Sequence, residues 1–227
     1  ITIPKDIGWF VGELSLTGDI LPMQGVLVIA EFAKASGVKS LYVPYDNKEE
    51  AALIDGINIY GCKTLSQIVA HLGGTLANTQ PAGEIEKTPH TKIFATHQET
   101  MVDFKDIKGQ ASAKRALEIA ACGGHNIALY GPPGTGKTML ARAFTGILPS
   151  LSHDEMLEVT RIHSLATKGV SLLTHPPLRS PHHTSSHVSL VGGGTNPRPG
   201  EVTLAHRGVL FLDEFPEFDK KVIESLR

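Results

Sequence analysis

The run Gly131, Pro132, Pro133, Gly134, Thr135, Gly136, Lys137, Thr138 meets the pattern GxxxxGK[ST]. Glycines there let successive backbone N–H groups turn inward on phosphate oxygens, and the amino terminus of a following helix adds partial positive charge. Lys137 is then placed for the β- and γ-phosphates, and the Thr138 hydroxyl for Mg²⁺. Hydrolysis needs more than this loop. Asp213 closes the apolar run Val209 to Leu212 and is placed to hold Mg²⁺, directly or through water. Glu214 is the candidate for polarising an attacking water. The cofactors these residue types call for are ATP and Mg²⁺.

Such a loop works only when a strand feeds it and a helix leaves it. "NIALY", ending at Tyr130, reads as a buried strand, and "KTMLARAFTGIL" as a helix with Leu140, Ala143, Phe144 and Ile147 along one face. Ahead of both, Ala111, Ala113, Ala116, Ala120 and Ala121, with Leu117 and Ile119, favour a helix that Gly123 and Gly124 end. "GVLFLDE" reads as a wholly apolar strand ending in the two acids. Two buried strands, each delivering chemistry at its carboxyl end, predict a parallel sheet with its ligand in that crevice.

From Trp9 to Gly73 the pattern reads strand, helix, strand, helix, strand, helix, which predicts a small α/β unit over residues 1–73. Gly37 is placed to end the helix that begins near Gln24. Thr64 with Gln67 makes a capping box for a helix carrying Leu65, Ile68, Val69 and Leu72 on one face. Residues 74–101 are rich in Thr, Pro and polar side chains and read as a linker, with a short strand around Lys92 to Ala95 as an alternative. Residues 102–227 hold the loop and the acids.

Composition bounds the reading without naming it. The chain has 227 residues, 41% apolar and 19% charged, enough for one large or two smaller soluble domains. Its formal charge of −2 advertises no global affinity for nucleic acid, so an anionic partner must meet a local patch. Cys62 and Cys122 have neither CxxC nor metal-ligand spacing, which predicts buried thiols in a reducing compartment. With no run of about 18 apolar residues and no basic-then-apolar leader, the expectation is a cytoplasmic location and no membrane partner.

"GQASAKRALEIAACGGHNIALYGPPGTGKTMLAR" and "LRSPHHTSSHVSLVGGGTNPRPGEVTLAHRGVLFLDE" together resemble the AAA+ ATPases related to the magnesium chelatase I subunit, and within them the bacterial ComM (YifB) type. The resemblance spans Asp103 to Arg227. It implies that Ile107 to Gln110, including Gly109, lie against the adenine, that Gly131 to Met139 hold the phosphates, and that Asp213 and Glu214 are metal ligand and catalytic acid. It also implies a homo-hexameric ring and a P-loop AAA+ parallel-sheet core. Because the sequence stops at Arg227, the sensors, the arginine finger and the helical lid are expected beyond it.

The first unit, from about Trp9 to Gly73, is similar to the carboxyl half of the Lon-type peptidase domain. In those peptidases a lysine follows the glycine corresponding to Gly25 by two residues, and here that place holds Leu27. A leucine cannot deprotonate a serine hydroxyl, so the module is expected to be non-proteolytic. The implied fold class is α/β, a small Lon-protease-like domain before the AAA+ core.

From Lys168 to Arg207 the sequence has Lys168, Arg179, Arg198 and Arg207 against Glu201 alone, plus five histidines. "SLVGGGTNPRPGEVTLAH" reads as two short strands around a Gly/Pro/Asn turn, a projecting hairpin. In the chelatase-related proteins a similar insertion faces the pore of the ring. Two readings stand for it: a grip on a DNA phosphate backbone through Arg179, Arg198 and Arg207, or a rigid interface between subunits. His182, His183 and His187 read as a polar loop rather than a zinc site, since no Cys or acid completes a set. The expected work is ATP-driven translocation on single-stranded or branched DNA, as in branch migration during recombination of incoming DNA in transformation. A metal-chelatase motor subunit and a protein-remodelling ATPase are the alternatives.

Overall fold

A computed structural model describes residues 8–73, 85–91, 102–168, 170–195 and 197–226. The chain divides into two compact units, Ile1–Phe94 with His163–Leu172, and Ala95–Ile162 with Leu173–Arg227. Both mix helices with parallel strand pairs. Among the described residues no helix is long and apolar enough to cross a membrane.

The first unit runs β1 (Trp9–Phe10), β2 (Glu13–Leu14), β3 (Ile20–Leu21), α1 (Val26–Ala35), β4 (Ser40–Pro44), α2 (Lys48–Ala51), β5 (Asn58–Cys62) and α3 (Leu65–His71). β4 is the middle strand, parallel to β1 on one side and to β5 on the other. Parallel neighbours need crossover connections, and α1 and α2 supply them. Leu41, Tyr42 and Val43 of β4 are buried, as a strand flanked on both edges requires. β2 and β3 form a separate antiparallel pair. α1 buries Val26, Leu27, Ala30 and Ala33 on one stripe, and Gly37 after it takes φ 77°, the left-handed turn expected there. Both halves of the Thr64–Gln67 capping box are made.

Two segments join this unit against the sequence reading. Ile85–Thr91 falls inside the stretch read as a linker, yet Ile85 is buried with Tyr42, Cys62 and Ile68. Lys87 bridges to Tyr60, and the Thr91 amide donates to the Ala52 carbonyl at 3.1 Å. Ile85 is the large apolar side chain by which Ile85–Thr91 enters this core, and burying one isoleucine is worth about 1.5–3 kcal/mol. The strand considered at Lys92 to Ala95 lies outside the described residues. His163–Leu172 also packs with the first unit: the Gly25 amide donates to Ser164 O at 3.0 Å and Gln24 Nε2 to Ala166 O at 2.9 Å.

The second unit runs α4 (Ala111–Gly123), α5 (Lys137–Phe144), α6 (His153–Ser164), β6 (Leu178–Arg179), α7 (His187–Val191), β7 (Gly192–Gly193), β8 (Arg198–Pro199), α8 (Glu201–Leu204), β9 (Val209–Leu210) and α9 (Lys220–Glu224). Its main core is the seam between α4 and α5, where Leu117, Ala120 and Ala121 meet Leu140, Ala143 and Phe144. A second cluster packs Leu190 of α7 on Phe218 and on Val222 of α9.

Three expectations are corrected here. "NIALY" forms no strand: Ile127 is exposed, Tyr130 fully so, and only Leu129 packs on the α4–α5 core. An isolated extended run has no ladder to close, and among the described residues none of the other strands pairs with it. "GVLFLDE" is a strand only at Val209–Leu210, half-buried and parallel to β6 alone, because it is paired on one side only. Cys122 is exposed; only Cys62 is buried. The hairpin predicted between the two motifs exists but is shorter than read. β7 and β8 contribute two residues each, flanked by α7 and α8. A Cβ on Gly200 would stand 2.3 Å from the Gly192 amide, so only glycine permits this approach.

Candidate nucleotide site

The loop sits where the helix terminus makes it useful. Gly134 and Gly136 take φ 78° and 83°, a left-handed conformation that side chains resist. Gly136 is the N-cap of α5, and the first intrahelical bond runs from the Leu140 amide to Gly136 O at 2.9 Å. The amides of Lys137, Thr138 and Met139 therefore have no acceptor within the helix, and they face the partial positive end of its dipole. Pro132, Pro133, Gly134 and Met139 are exposed, while Thr135, Lys137 and Thr138 are half-buried. Lys137 Nζ donates to the carbonyls of Gly131 and Pro132, both at 2.9 Å, which folds the ammonium over the loop. Thr135 Oγ1 donates to Pro132 O and braces the same turn.

Thr138 is brought to the acid pair. Its Oγ1 donates to Asp213 Oδ2 at 3.0 Å, across 75 residues of sequence. The other carboxylate oxygen, Oδ1, accepts from the Glu214 amide at 3.0 Å. β6 and β9 carry this corner, since the parallel pairing of Leu178 with Val209 and Arg179 with Leu210 delivers residues 213 and 214 just past β9. Glu214 has φ 53°, a strained conformation for a side-chain-bearing residue. It meets His183, whose Nδ1 lies 3.3 Å from Glu214 Oε2.

The segment read as lying against a base divides. Ile107 is buried in the α4–α5 core, and Lys114 Nζ is bonded to the carbonyls of Phe104 and Ile107, which pins that turn. Gly109 and Gln110 turn in the left-handed region, φ 70° and 54°, and Gln110 Nε2 reaches Thr135 O at 3.4 Å. Gln110 therefore abuts the phosphate loop, whereas the side chain of Ile107 belongs to the core.

The three arginines do not form one basic face. Arg179 is bound in bidentate fashion by Glu201, at 2.5 and 2.7 Å, and is half-buried between β6 and α8. Arg207, at φ 60°, is held by Glu155 and Glu158 of α6 at 3.0 Å each. Only Arg198, on β8, is presented on the hairpin itself. The residue counts treated Lys168 to Arg207 in isolation; the fold brings two further acids from α6 to it.

His183 is the residue that sequence reasoning missed. The doubled histidine does lie in a polar loop, where the two rings sit 4.1 Å apart and tilted, His182 Nδ1 meets Thr184 Oγ1 at 2.8 Å and His183 is set on Glu214. No sequence signal marked it, since its place just past β6 becomes meaningful only through the pairing of β6 with β9.

Magnesium is a reasonable occupant. Thr138 Oγ1 and Asp213 Oδ2 are hard oxygen donors already 3.0 Å apart, and Mg²⁺ characteristically takes one or two protein oxygens and completes its shell with phosphate and water.

A glycine loop at a helix amino terminus, with its threonine bonded to an acid at the end of a parallel strand, defines a P-loop nucleotide-binding protein. Residues 103–227 match the profile of the family described as magnesium chelatase, subunit ChlI, and the chain belongs to that family, as an AAA+ protein of the ComM type. An uncharacterized Mycobacterium tuberculosis protein is 47% identical over 221 residues, covering 96% of this chain and 42% of its own. Competence protein ComM of Haemophilus influenzae is 43% identical over 220 residues, with the same two shares. The uncharacterized protein YifB of Escherichia coli is 44% identical over 219, covering 96% and 41%. The chain thus spans about two fifths of the length of these relatives.

Proposed function

We propose that this chain carries the nucleotide-binding part of an ATP-hydrolysing motor that acts on DNA, of the kind that migrates branches during homologous recombination or natural transformation. The observation that carries the ATPase half is the Thr138–Asp213 contact at 3.0 Å beside an α5 terminus with unbonded amides. The loop amides and Lys137 bind the polyphosphate, and Lys137 trades its two carbonyl partners for phosphate oxygens. Thr138 and Asp213 hold Mg²⁺, which when bound offsets charge on the β- and γ-phosphates. Glu214 accepts a proton from the attacking water, and His183 fixes the direction of that carboxylate.

The DNA half is supported by likeness along 96% of the chain, both units included, to a protein named for competence. Arg198 on the hairpin is the residue offered to a phosphate backbone in the pore of a homo-hexamer. The first unit is a Lon-like module without peptidase function, a reading supported by Leu27, which is fully buried where a catalytic lysine would need to reach a hydroxyl. The test is ATP turnover of the full-length protein with and without single-stranded and forked DNA. Stimulation by either is expected, and turnover indifferent to both would end the DNA reading while leaving the ATPase one.

A second reading is favoured by the family match itself: a motor subunit of a metal chelatase. ATP-dependent insertion of Mg²⁺ into a porphyrin in the presence of partner subunits would select it.

A further inference from the structure

A groove of about 570 Å³ opens on the first unit, between the α2 end of the sheet and Ile85–Thr91. Tyr45, Lys48, Lys63, Gln67, Lys87 and His90 line it. Two ammonium groups are gathered on one ring there: Lys48 Nζ lies 3.6 Å and Lys63 Nζ 4.3 Å from the Tyr45 ring centre. The ring attracts each cation, but the two cations repel one another. Glu49 and Glu86 share the lining, yet among the described residues no carboxylate comes within ion-pair distance of Lys48 or Lys63.

The cluster is built rather than incidental. The Lys48 stem crosses β5 at Gly61, where a Cβ would stand 2.9 Å from Lys48 Cβ and Cδ, so only glycine lets this lysine lie across the strand. Lys63 follows β5 directly, one residue after Cys62, and the Thr64 capping box fixes the backbone beside it. The Tyr45 ring is exposed. Lys48 beside the Tyr45 hydroxyl draws its proton affinity below the usual phenol value, as an electropositive surface does. Paired cations with no carboxylate in ion-pair reach among the described residues, gathered on an exposed aromatic ring in an open groove, have the chemistry that binds a phosphodiester chain and one stacked base.

We propose that this groove on the first unit is a binding site for the phosphate backbone of a single nucleic-acid strand, with Lys48 and Lys63 on the phosphates and Tyr45 under a base. This rests on the DNA-motor reading and extends it from the ATPase unit to the first unit. It gives the chain a contact with the strand that does not use the hairpin.

The test uses the full-length protein and a fluorescein-labelled dT oligonucleotide of about twenty nucleotides, followed by anisotropy across a salt series. Lys48→Glu with Lys63→Glu should weaken binding by about tenfold or more, and Lys48→Ala with Lys63→Ala should flatten the salt dependence by about 1.4 in log–log slope, two phosphates' worth. Lys48→Arg with Lys63→Arg should retain affinity. The same charge change on α1 and the turn after it, Lys34→Glu with Lys39→Glu, should leave affinity within about twofold, and turnover without DNA should be unchanged in every variant. Equal affinity of wild type and the Lys48→Glu, Lys63→Glu protein would overturn the groove assignment, and so would an equal loss in the α1 control. In either case DNA-stimulated turnover in the wild type would keep the motor reading. A wild type that neither binds the oligonucleotide nor responds to DNA would sink both. Tripolyphosphate bound through Lys48 and Lys63 while oligonucleotide affinity ignores them would make the ligand a free polyanion and reject the strand.

Discussion

Thr138 and Asp213, 75 residues apart in sequence, share a 3.0 Å hydrogen bond in which the hydroxyl donates and the carboxylate accepts. The bond joins the first turn of α5 to the segment just past β9. Asp213 is held on its other side by the Glu214 amide, so its two oxygens point in defined directions. Lys137 lies beside Thr138 in the same turn, with its ammonium over the loop.

That arrangement separates binding from turnover. Lys137→Ala in the full-length protein should weaken ATP binding at least tenfold, about 1.4 kcal/mol, because the ammonium that the loop holds for the phosphates is removed. Asp213→Asn keeps an acceptor for the Thr138 hydroxyl but loses the charge that holds Mg²⁺. Titration with a fluorescent ATP analogue should give nearly unchanged affinity for Asp213→Asn without metal, and a Mg²⁺ series should give little turnover at any concentration.

Glu214 and His183 make a second pair with a separable signature. Glu214→Gln cannot take a proton and should trap ATP unhydrolysed. His183→Ala leaves the carboxylate in place but unaimed, and misplacement of a catalytic group on the order of 1 Å costs up to about 100-fold in rate. Steady-state kinetics of the full-length protein should therefore show a lowered kcat at nearly constant KM for His183→Ala. His183→Asn, which can place a side-chain donor where Nδ1 was, should recover part of it. Normal turnover in Glu214→Gln would assign the base elsewhere.

The sequence carried the glycine turn at the head of α5 because its spacing is a local property: glycines at fixed offsets make a turn wherever they occur. The Thr64 box and the Gly37 stop were legible for the same reason. What it missed depends on partners far along the chain. "NIALY" has strand composition but no ladder among the described residues, and the apolar content of "GVLFLDE" gave no hint that only two residues would pair. Charge counting failed at Arg207 because Glu155 and Glu158 approach it from a helix roughly fifty residues away in sequence. Nothing local to "SPHH" marked which histidine would meet Glu214.

Arg179 is a sequence candidate for gripping DNA, and its two hydrogen bonds to Glu201 predict a structural role instead. Both partners are half-buried and the geometry is bidentate, so removing one leaves the other partly desolvated without its counter-charge. Arg179→Ala should lower stability by about 1–3 kcal/mol, and Arg179→Ala with Glu201→Ala should lose less than the sum of the two single changes. Thermal melts of the four proteins measure it. Strictly additive losses would mean the pair is not coupled, and Arg179 would again be available to a ligand.

Glu50 predicts a pH dependence confined to the first unit. Its carboxyl is buried beneath α1, where Oε1 accepts from the Leu27 amide at 3.2 Å and Oε2 from Asn47 Nδ2 at 3.0 Å. Burial raises its proton affinity above the ordinary carboxylate value, and the two hydrogen bonds only partly oppose that. A carboxyl whose folded-state pKa lies above its unfolded one favours the folded state while protonated. Its contribution is full below the unfolded value, near pH 4, and is lost as pH rises through the folded one. Glu50→Gln has no such proton to lose, and every other ionisable group is common to both proteins. The melting temperature of wild type minus that of Glu50→Gln should therefore fall as pH rises above about 4 and level off once the carboxyl is ionised in the fold as well. A flat difference would mean the Leu27 and Asn47 hydrogen bonds balance burial, and one that grows with pH that they outweigh it and hold the carboxylate ionised in the fold; either would overturn the prediction.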